Sequence, residues 1–405
     1  MSRFALKMLG IAGVFGVFAA CSATKGGDNS FGGSETTSSD GTSQGGHGAA
    51  GGDSGEGGIA IETGSGGGGS QPPCIDTPGV DDDGDGFADP EDCNDCDPNV
   101  NPAAMEVMTA EGADPVDEDC DGEIDNIAGT CDENLLVEDP DPMSAVRALD
   151  ICRNAQGPRD WGLLGAAWVR ANGTPLTAPT NQYGIQPNFG PNVSPRGGDR
   201  MLAISSGRAR LPGQTGACTT ESCNGHGLGT APSGFPQSVT GCPVGSSIND
   251  DVGLQVHMRA PSNATGLRFN FRFYSFEYPE FVCMSYNDQF IALMNPAPAG
   301  AANGNISFDS MGNPVSVNVA FFDVCEGCPL GIADLLGTGF DTLDDAGATG
   351  WLATTAPVKG GQEVSLRFAI WDTGDQQYDS TALIDNFEWI ATGGTVPVGT
   401  TPEPQ

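Results

Sequence analysis

The alternating pattern that decides the fold is plainest in residues 267–273, which read LRFNFRF. Apolar side chains occupy every second position, which is the period that places them on one face of a β-strand. The same alternation recurs in residues 252–258, 315–321 and 364–370. Strands with one apolar face each need a second sheet to bury that face against. The sequence therefore predicts a mainly β fold, a jelly-roll-like β-sandwich over residues 130–395.

A short helix is predicted just before these strands. Asp141 can cap its N-terminus, and Pro142 suits its first turn because the fixed backbone angle of proline is already helical. We also expect Cys131 to pair with Cys152 across this segment.

Cysteine usage favours structural disulfides. Thirteen cysteines are present, twelve of them after Cys21, and an even number in an exported chain is typical of a disulfide framework. We expect all twelve to be paired, although Cys325 and Cys328 could instead form a redox pair or half of a zinc site. The cysteines whose partners the sequence leaves open include Cys218, Cys223, Cys242 and Cys283.

An acidic segment precedes the sandwich. Residues 74–140 hold 23 of the 53 Asp and Glu residues and no Lys, Arg or His. Such a segment cannot collapse unless cations neutralise it. It could be a disordered acidic spacer, but a spacer has no use for the cysteines interleaved with its acids. We therefore predict a small, loop-rich folded module over residues 74–129.

Two stretches of this module have the spacing of a twelve-residue calcium loop, in which alternate oxygens converge and a glycine at position 6 permits the sharp turn. The predicted ligands of the first loop are Asp81, Asp83, Asp85, Phe87 (through its carbonyl), Asp89 and Asp92. Those of the second loop are Asp117, Asp119, Asp121 and Asp125. Ala128 occupies the twelfth position of the second loop, so we expect weaker binding there. Calcium is the predicted cofactor.

The module resembles a metal-binding repeat of bacterial surface proteins that is common in myxobacterial lipoproteins and is named after a copper-binding methanotroph surface protein. The resemblance rests on Asp83-Gly84-Asp85-Gly86-Phe87, Asp92-Cys93-Asn94-Asp95, Asp97-Pro98-Asn99-Val100-Asn101-Pro102, Glu106 and Asp119-Cys120-Asp121-Gly122-Glu123-Ile124-Asp125. Val107 and Met108 follow Glu106 where the repeat usually has a cysteine. Copper prefers His, Met or thiolate ligands, which the module does not offer as a cluster.

Residues 1–21 have the pattern of an export signal. Arg3 and Lys7 precede an apolar stretch over residues 8–20, and this order of basic and apolar regions is typical of a signal peptide. The stretch is too short for a stable membrane-spanning helix.

The run Ala19-Ala20-Cys21 resembles a bacterial lipobox. The resemblance implies that Cys21 is acylated and anchors the chain in a membrane, since several acyl chains give stable attachment. Ser22 after the cysteine implies delivery to the outer membrane and display at the cell surface. Ordinary cleavage after Ala20 is the alternative.

Two further segments are predicted to be disordered. Residues 22–73 are rich in Gly, Ser and Thr, which is typical of a flexible linker. Residues 396–405 are predicted to be a disordered tail.

The C-terminal half resembles the choice-of-anchor L domain, an extracellular bacterial domain that is joined to varied surface anchors. The runs that carry the resemblance are Phe276-Glu277-Tyr278-Pro279-Glu280-Phe281, Tyr286-Asn287-Asp288-Gln289-Phe290, Gly347-Ala348-Thr349-Gly350-Trp351-Leu352, Asp372-Thr373-Gly374-Asp375, Tyr378-Asp379-Ser380 and Leu383-Ile384-Asp385-Asn386-Phe387. The resemblance extends over most of residues 131–392. It implies a displayed surface domain and names no ligand.

Acidic side chains recur within these runs. Asp385 falls in phase with Leu383, Phe387 and Trp389, on what should be one buried face. A buried carboxylate must find a metal, an arginine or several amide donors. A second calcium site, a structural hydrogen-bond network and a catalytic acid pair are all open. The candidate residues are Glu277, Asp288, Asp372, Asp375, Asp379 and Asp385.

No enzyme signature accompanies these acids. The three histidines belong to no His-Glu-x-x-His motif, and no Gly-x-Ser-x-Gly motif is present. A pI near 4.1 disfavours nucleic-acid binding. We therefore expect a non-enzymatic surface lipoprotein that acts in adhesion, recognition or envelope structure. The alternative is a secreted polysaccharide hydrolase that uses carboxylates of the sandwich.

The polar phases of the strands carry several arginines. They could form a basic stripe that binds an anionic polysaccharide, or they could be solvated and paired with acids across the strands. These residues are Arg259, Arg268, Arg272 and Arg367. An extracellular polysaccharide or a surface protein is the expected partner.

Overall fold

The computed structural model describes residues 74–404 apart from 76, 128, 178–180, 224, 320, 342–345 and 392. The predicted signal peptide with Cys21, the linker over residues 22–73 and the twelfth position of the second loop, Ala128, therefore lie outside the described residues. Within the described part of the chain, no helix has both the length and the apolar character needed to cross a membrane.

The described residues form thirteen strands, one α-helix and one 3₁₀-helix. The helices are α1 (Pro142–Arg147) and a 3₁₀-helix (Ala333–Leu335). The strands are β1 (Gly162–Val169), β2 (Tyr183–Gln186), β3 (Met201–Ser205), β4 (Ile248–Arg259), β5 (Gly266–Ser275), β6 (Gln289–Asn295), β7 (Val315–Ser316), β8 (Phe322–Val324), β9 (Gly347–Thr349), β10 (Leu352–Pro357), β11 (Glu363–Thr373), β12 (Ser380–Ile390) and β13 (Gly399–Pro402).

These strands make two antiparallel sheets. The first has the order β1-β4-β11-β6-β7, and the second has the order β13-β10-β5-β12-β3-β2, with β9 pairing with both β5 and β8. The chain crosses from one sheet to the other between β4 and β5, between β5 and β6, and between β11 and β12. The predicted mainly β sandwich is confirmed.

The main core lies between the sheets. Phe269 of β5 and Phe368 of β11 meet edge to face with ring centroids 5.1 Å apart, and Phe271 lies 4.9 Å from Phe290. All four side chains are buried. The alternating strands thus bury one apolar face of each sheet against the other, as their period predicted.

Several strands are also buried on their outer faces. Ala369 and Trp371 of β11 belong to a second buried cluster, whereas Phe368 and Ile370 belong to the main core. On the second sheet, Tyr274 packs against Phe340 at 5.4 Å. Long loops cover these outer faces. The expectation that each strand has only one apolar face is therefore wrong for these strands.

The predicted strand over residues 315–321 is wrong in length. Only Val315–Ser316 belongs to β7. The amide of Val319 donates to the carbonyl of Ser316, so this segment turns instead of continuing its pairing with β6. Val317 and Val319 are nevertheless buried, which explains why an apolar alternation appears without a strand.

The expected disordered tail contains β13, which pairs with β10. Its position at the sheet edge suits Pro402, because an edge strand can tolerate a residue that lacks an amide donor.

The predicted helix and the predicted Cys131–Cys152 disulfide are both present. Cys325 pairs with Cys328, and Cys242 pairs with Cys283. Cys218 and Cys223 are free cysteines, so the expectation that all twelve would be paired is not met.

The arginines do not form one basic stripe. Arg259 and Arg367 lie in the first sheet, and Arg268 and Arg272 lie in the second. Arg259 pairs with Glu363 at 2.6 Å, Arg268 with Glu388 at 3.1 Å, and the buried Arg272 with Asp334 at 2.8 Å. Arg367 donates to the Gln255 side chain. Cross-strand and loop partners therefore account for these side chains.

Candidate metal site

Turns and disulfides build the acidic module, because its few large apolar residues cannot form a core of their own. The Cys74–Cys96 and Cys93–Cys120 disulfides tie its loops together. Gly84 and Gly86 have φ of +85° and +100°, a region that suits glycine. These two positions wind the chain around the first loop.

Backbone amides fix the carboxylates of this loop. Oδ1 of Asp83 accepts from the amide of Asp85, and Oδ1 of Asp85 accepts from the amide of Phe87. Oδ1 of Asp92 accepts from the amide of Asn94, and Oδ1 of Asp95 accepts from the amide of Asp82 at 3.0 Å. One oxygen of each carboxylate is thus held in place.

The other oxygen of each carboxylate is buried without a hydrogen-bond partner among the described residues. These atoms are Oδ2 of Asp83, Asp85, Asp92 and Asp95. Carboxylate oxygens of Asp83, Asp85 and Asp92 lie within 4.8 Å of one another, as do those of Asp81, Asp83 and Asp95. Buried carboxylate oxygens are rarely left without a partner, and converging anionic oxygens are the ligands that calcium prefers.

The electrostatics of the loop also favour a cation. Burial raises the pKa of Asp85 to about 6, with the neighbouring Asp83 and Asp92 adding to the shift. Burial, opposed by an amide donor, also raises the pKa of Asp83 and Asp92. The protein therefore holds like charges together at a cost that a divalent cation would remove.

Most, but not all, of the predicted ligands of the first loop come together. Asp81, Asp83, Asp85 and Asp92 converge, whereas Asp89 lies outside both groups of converging carboxylates. Asp95 takes part instead. Its signal was in the sequence, in the run Asp92-Cys93-Asn94-Asp95, but it lies beyond the twelfth position of the calcium loop.

Phe87 was predicted to act through its carbonyl. Its side chain is buried, and the guanidinium of Arg159 lies 4.4 Å from the centre of its ring. Phe87 therefore also joins the loop to the segment before β1.

The second loop repeats the local geometry of the first, but none of the carboxylate oxygens described for its predicted ligands is both buried and without a hydrogen-bond partner. Asp117 accepts from the amides of Asp121 and Gly122, much as Asp81 accepts from Gly84 and Gly86. Oδ2 of Asp121 is occupied by the Asn126 amide at 2.7 Å.

Only part of the predicted second ligand set converges. Glu106, Asp117 and Asp119 bring carboxylate oxygens within 4.8 Å of one another, without Asp121 or Asp125. Asp125 instead accepts from the amide and hydroxyl of Thr109. The weaker binding that was expected of the second loop stays a prediction.

The module is attached to the sandwich by polar contacts. Oδ1 of the buried Asn101 accepts from the Ser262 hydroxyl at 2.8 Å. Asn263 exchanges two hydrogen bonds with the backbone of Met105. The Trp161 indole donates to the carbonyl of Ala104. The loops that hold the acids thus meet the sandwich directly.

A cleft of about 610 Å³ lies between the module and the sandwich. Its lining includes Met105 and Glu106 from the module and Trp161, Trp389 and Glu388 from the sandwich. The carboxylate of Glu106 also belongs to the second group of converging acids, so the cleft and that group share a residue.

The six acids proposed for the sandwich do not form one group. Asp385 is buried and accepts from the amides of Arg196, Gly197 and Asn386. Burial raises its pKa to about 8, and these donors oppose the shift. A buried carboxylate needs a metal, an arginine or several amide donors, and Asp385 has several amide donors. Of the three alternatives for these acids, Asp385 therefore fits the structural hydrogen-bond network.

Asp385 also does not share a face with Phe387. A β-bulge between Asp385 and Glu388 shifts the register of β12, so Leu383 packs in an outer cluster and Phe387 in the main core. Asp375 also lies apart from the other acids. It is half-buried and accepts from the amide of Gln377.

The remaining four acids, Glu277, Asp288, Asp372 and Asp379, lie together and are buried. Glu277 accepts from the amide of Asp288, and the pKa of Asp372 is raised well above its usual range by burial and by Asp288 and Asp379. Asp250, which the sequence-based prediction omitted, adjoins them. A glycosidase carboxyl pair must face a sugar and a water molecule in a cleft. These buried acids give the hydrolase alternative no support.

The strands that frame this buried group coincide with a recognisable domain. Residues 244–387 match the choice-of-anchor L domain. The match runs from β4 into β12 and so includes the central strands of both sheets. It is shorter than the predicted resemblance over residues 131–392, because β1, β2 and β3 lie before it. A comparison with curated proteins found no match.

The choice-of-anchor L domain indicates an exported or cell-surface protein built on a β-sandwich, and domains of this family are typically non-enzymatic surface modules. Its presence agrees with the structural disulfides, which persist in oxidising compartments outside the cytoplasm.

Proposed function

We propose that this protein is a surface lipoprotein whose acidic module binds calcium and whose sandwich recognises an extracellular ligand in adhesion or envelope structure. The observation that carries the calcium assignment is the set of four buried carboxylate oxygens without partners in the first loop. The match to the choice-of-anchor L domain supports the surface location.

The donor set fits calcium better than a softer metal. Every converging group in the first loop is a carboxylate, and carboxylates suit calcium, magnesium or manganese. The cysteines that bring a sulfur close to Asp92, Cys93 and Cys120, are joined in one disulfide, so they offer no thiolate. The resemblance of this segment to a metal-binding surface repeat supports the same assignment.

Calcium in this module would brace the sandwich as well as the loop. Asn101 lies beside the carboxylate of Asp85 and bonds to Ser262 of the sandwich. The backbone amide of Asn101 also donates to the carbonyl of Glu118 in the second loop. A cation on Asp85 would therefore order the residue that joins both loops to the sandwich.

The ligand that we favour is an extracellular polysaccharide bound in the cleft between the module and the sandwich. The indole rings of Trp161 and Trp389 supply apolar surface, and Arg153 and Glu388 supply polar groups at the same cleft. This combination of broad apolar surface with a few polar groups is what ligand sites generally present.

Attachment through the Cys21 thiol would hold this assembly at the outer membrane. Replacing Cys21 by Ser should move the protein from the membrane fraction to the periplasm or the medium. A substituted protein that still fractionates with membranes would contradict the lipid anchor.

Calorimetric titration of the mature protein with calcium tests the metal assignment. Asp95→Asn should weaken binding at the first loop at least tenfold, because Asn keeps Oδ1 for the Asp82 amide and loses the open anionic oxygen. Asp89→Asn is the matched control and should bind like the wild type. Equal affinities for both variants, or no calcium uptake by the wild type, would overturn the assignment.

Polysaccharide arrays probed with the same protein test recognition. Trp389→Ala should abolish the signal, and calcium removal should reduce it if the module forms one wall of the site. Binding that survives Trp389→Ala unchanged would place the ligand elsewhere.

A further inference from the structure

Two unpaired cysteines meet a buried acid at the start of β12. Cys218 and Cys223 are free, and Asp379 directly precedes β12. The two sulfurs and a carboxylate oxygen of Asp379 lie within 4.8 Å of one another, and the Cys218 sulfur is 3.9 Å from Oδ2 of Asp379. Residues far apart in the sequence thus bring two sulfurs and an oxygen to one point.

Backbone hydrogen bonds fasten the loop that carries both cysteines to the segment before β12. The amide of Asp379 donates to the carbonyl of Glu221 at 2.9 Å. The amide of Tyr378 donates to the hydroxyl of Ser222 at 2.9 Å, and the amide of Cys223 donates to Oδ2 of Asp379 at 2.6 Å. The fold itself therefore holds the three side chains together.

The carboxylate of Asp379 shows independently that a partner is missing. Asp379 is 3% exposed, and its Oδ1 has no hydrogen-bond partner among the described residues. The carboxylate is also confined, because the Cβ of any residue other than glycine at Gly207 would collide with Oδ2. A buried anionic oxygen without a partner is costly, so this oxygen points to a counter-charge.

The buried Asp251 shows how this protein satisfies an ordinary buried acid. Its Oδ1 pairs with Arg170 at 2.8 Å, and its Oδ2 accepts from the amide of Ala171 at 2.7 Å. None of the ion pairs found within the described part of the chain involves Asp379. Asp379 therefore differs from Asp251 in lacking a cation.

We propose that Cys218, Cys223 and Asp379 bind a zinc-class divalent cation that fastens the cysteine loop to β12. Four residues separate the two cysteines, which is a spacing that zinc sites use. Tetrahedral sulfur and oxygen ligands of zinc lie about 3.6 Å apart, close to the 3.9 Å between the Cys218 sulfur and Oδ2 of Asp379. This site is separate from the acidic module and does not depend on the function proposed for it.

The ligand chemistry favours zinc over calcium. Sulfur ligands select zinc, whereas calcium takes oxygen ligands. Burial raises the pKa of the Cys218 thiol, so a metal must displace the thiol proton when it binds, as zinc does in other thiolate sites. Two thiolates and one carboxylate carry one negative charge more than zinc offsets. The positive charge of Arg208, which acts on both Cys218 and Asp379, balances the remainder.

A cavity beside the three ligands has room for a fourth. Its volume is about 130 Å³, and its lining includes Arg208, Cys218 and Asp379. Three protein ligands leave one tetrahedral position of zinc open, and a polar cavity of this size can hold a water molecule. We therefore expect three protein ligands and one water.

Zinc release on thiol modification tests this inference in the mature protein, isolated without a reductant. Modifying Cys218 and Cys223 should release one zinc for every two thiols that react, measured with a zinc indicator. Cys223→Ser should lower the bound zinc at least tenfold. Thr219→Ser is the matched control, because Thr219 lies in the same loop and is exposed, and it should keep the zinc.

Cobalt substitution gives a second measurement, because thiolate ligands give cobalt a charge-transfer absorption band that oxygen ligands do not. The wild type should show this band, and Cys223→Ser should lose most of it. Asp379→Asn should keep the band but bind cobalt at least tenfold more weakly, since Asn retains one oxygen for the Cys223 amide. Asp375→Asn should bind like the wild type. If Asp379→Asn fails to fold, Cys223→Ser still decides the result.

Two results would overturn the inference. One is a protein, isolated without a reductant, in which Cys218 and Cys223 are joined in a disulfide. The other is a protein with both thiols free that binds zinc and cobalt no more tightly than Cys223→Ser does.

Discussion

The acidic module and the choice-of-anchor L domain organise their carboxylates in opposite ways. In the module, Asp83, Asp85 and Asp92 each accept from an amide two residues further along the chain, so the arrangement is local. In the domain, Asp250, Asp372 and Asp379 come from different strands and loops and are buried by the two sheets. We therefore expect the first arrangement to need a cation in order to fold, whereas the apolar core already holds the second.

The largest expected effect concerns the core of the sandwich. Phe271→Ala removes a fully buried ring that packs against Phe290, and we expect a loss of about 3 to 5 kcal/mol in unfolding free energy. Denaturant unfolding should show the loss with and without calcium. A loss that disappears when calcium is added would contradict a sandwich held mainly by apolar burial.

Calcium removal should act on the module instead. EGTA, or Asp83→Ala with Asp85→Ala, should open residues 74–129 to protease while residues 250–391 stay protected. If extracellular loops bind at about 0.1 to 1 mM, then 10 mM calcium should stabilise the module by about 1.4 to 2.7 kcal/mol, a ten- to hundredfold change in cleavage rate. Mass spectrometry of the fragments locates the cuts. Equal sensitivity of both regions would remove the distinction between them.

A smaller effect tests a half-buried acid that lies outside the candidate metal site. Both oxygens of Asp150 lack a partner among the described residues, and burial with the neighbouring Asp132 and Glu388 raises its pKa to about 6. Because this folded pKa lies above the unfolded value near 4, the acid costs stability as pH rises from about 4 to 6.

Asp150→Asn should therefore stabilise the protein by about 1 kcal/mol at pH 8, with allowance for solvent screening, and by little at pH 4. Asn also suits the backbone here, since φ is +64°. The control is Asp160→Asn, because amide bonds and Arg153 lower the pKa of Asp160. Its stabilising effect is lost as pH falls, so the control should destabilise at pH 8. Thermal melts at both pH values measure the two changes, and a destabilised Asp150→Asn protein at pH 8 would indicate a bound cation there.

The smallest effect concerns the free thiols at the rim of the buried acids. Intact mass after alkylation in denaturant, without reduction, should show two modified residues, Cys218 and Cys223. In the native protein Cys218 should react more slowly, because each unit of raised pKa lowers the thiolate fraction tenfold. A protein with no free thiol would mean that this pair has closed as a sixth disulfide, as the even cysteine count predicted.

Sequence reasoning succeeded where a property repeats over a few residues. The alternation in residues 267–273 became β5, and the Asp141-Pro142 pair began α1. It failed where a bulge or a turn changed the phase, as at Asp385 and in residues 315–321. One extra residue reverses which face a side chain occupies, and nothing in the residue types marks that change.

The same division holds for the candidate sites. The spacing of Asp81, Asp83, Asp85 and Asp92 was enough to predict a convergent group, because the ligands of one loop are bound to one another by a short chain. Asp95 converges with the other acids and Asp89 does not. That outcome depended on how the disulfides fold this part of the chain back on itself. The pairing of distant strands decided which acids of the sandwich lie together. It brings Asp250 into the buried group and leaves Asp375 and Asp385 outside it. The sequence determines the local spacing of residues directly, whereas strand register is determined only when the whole core packs.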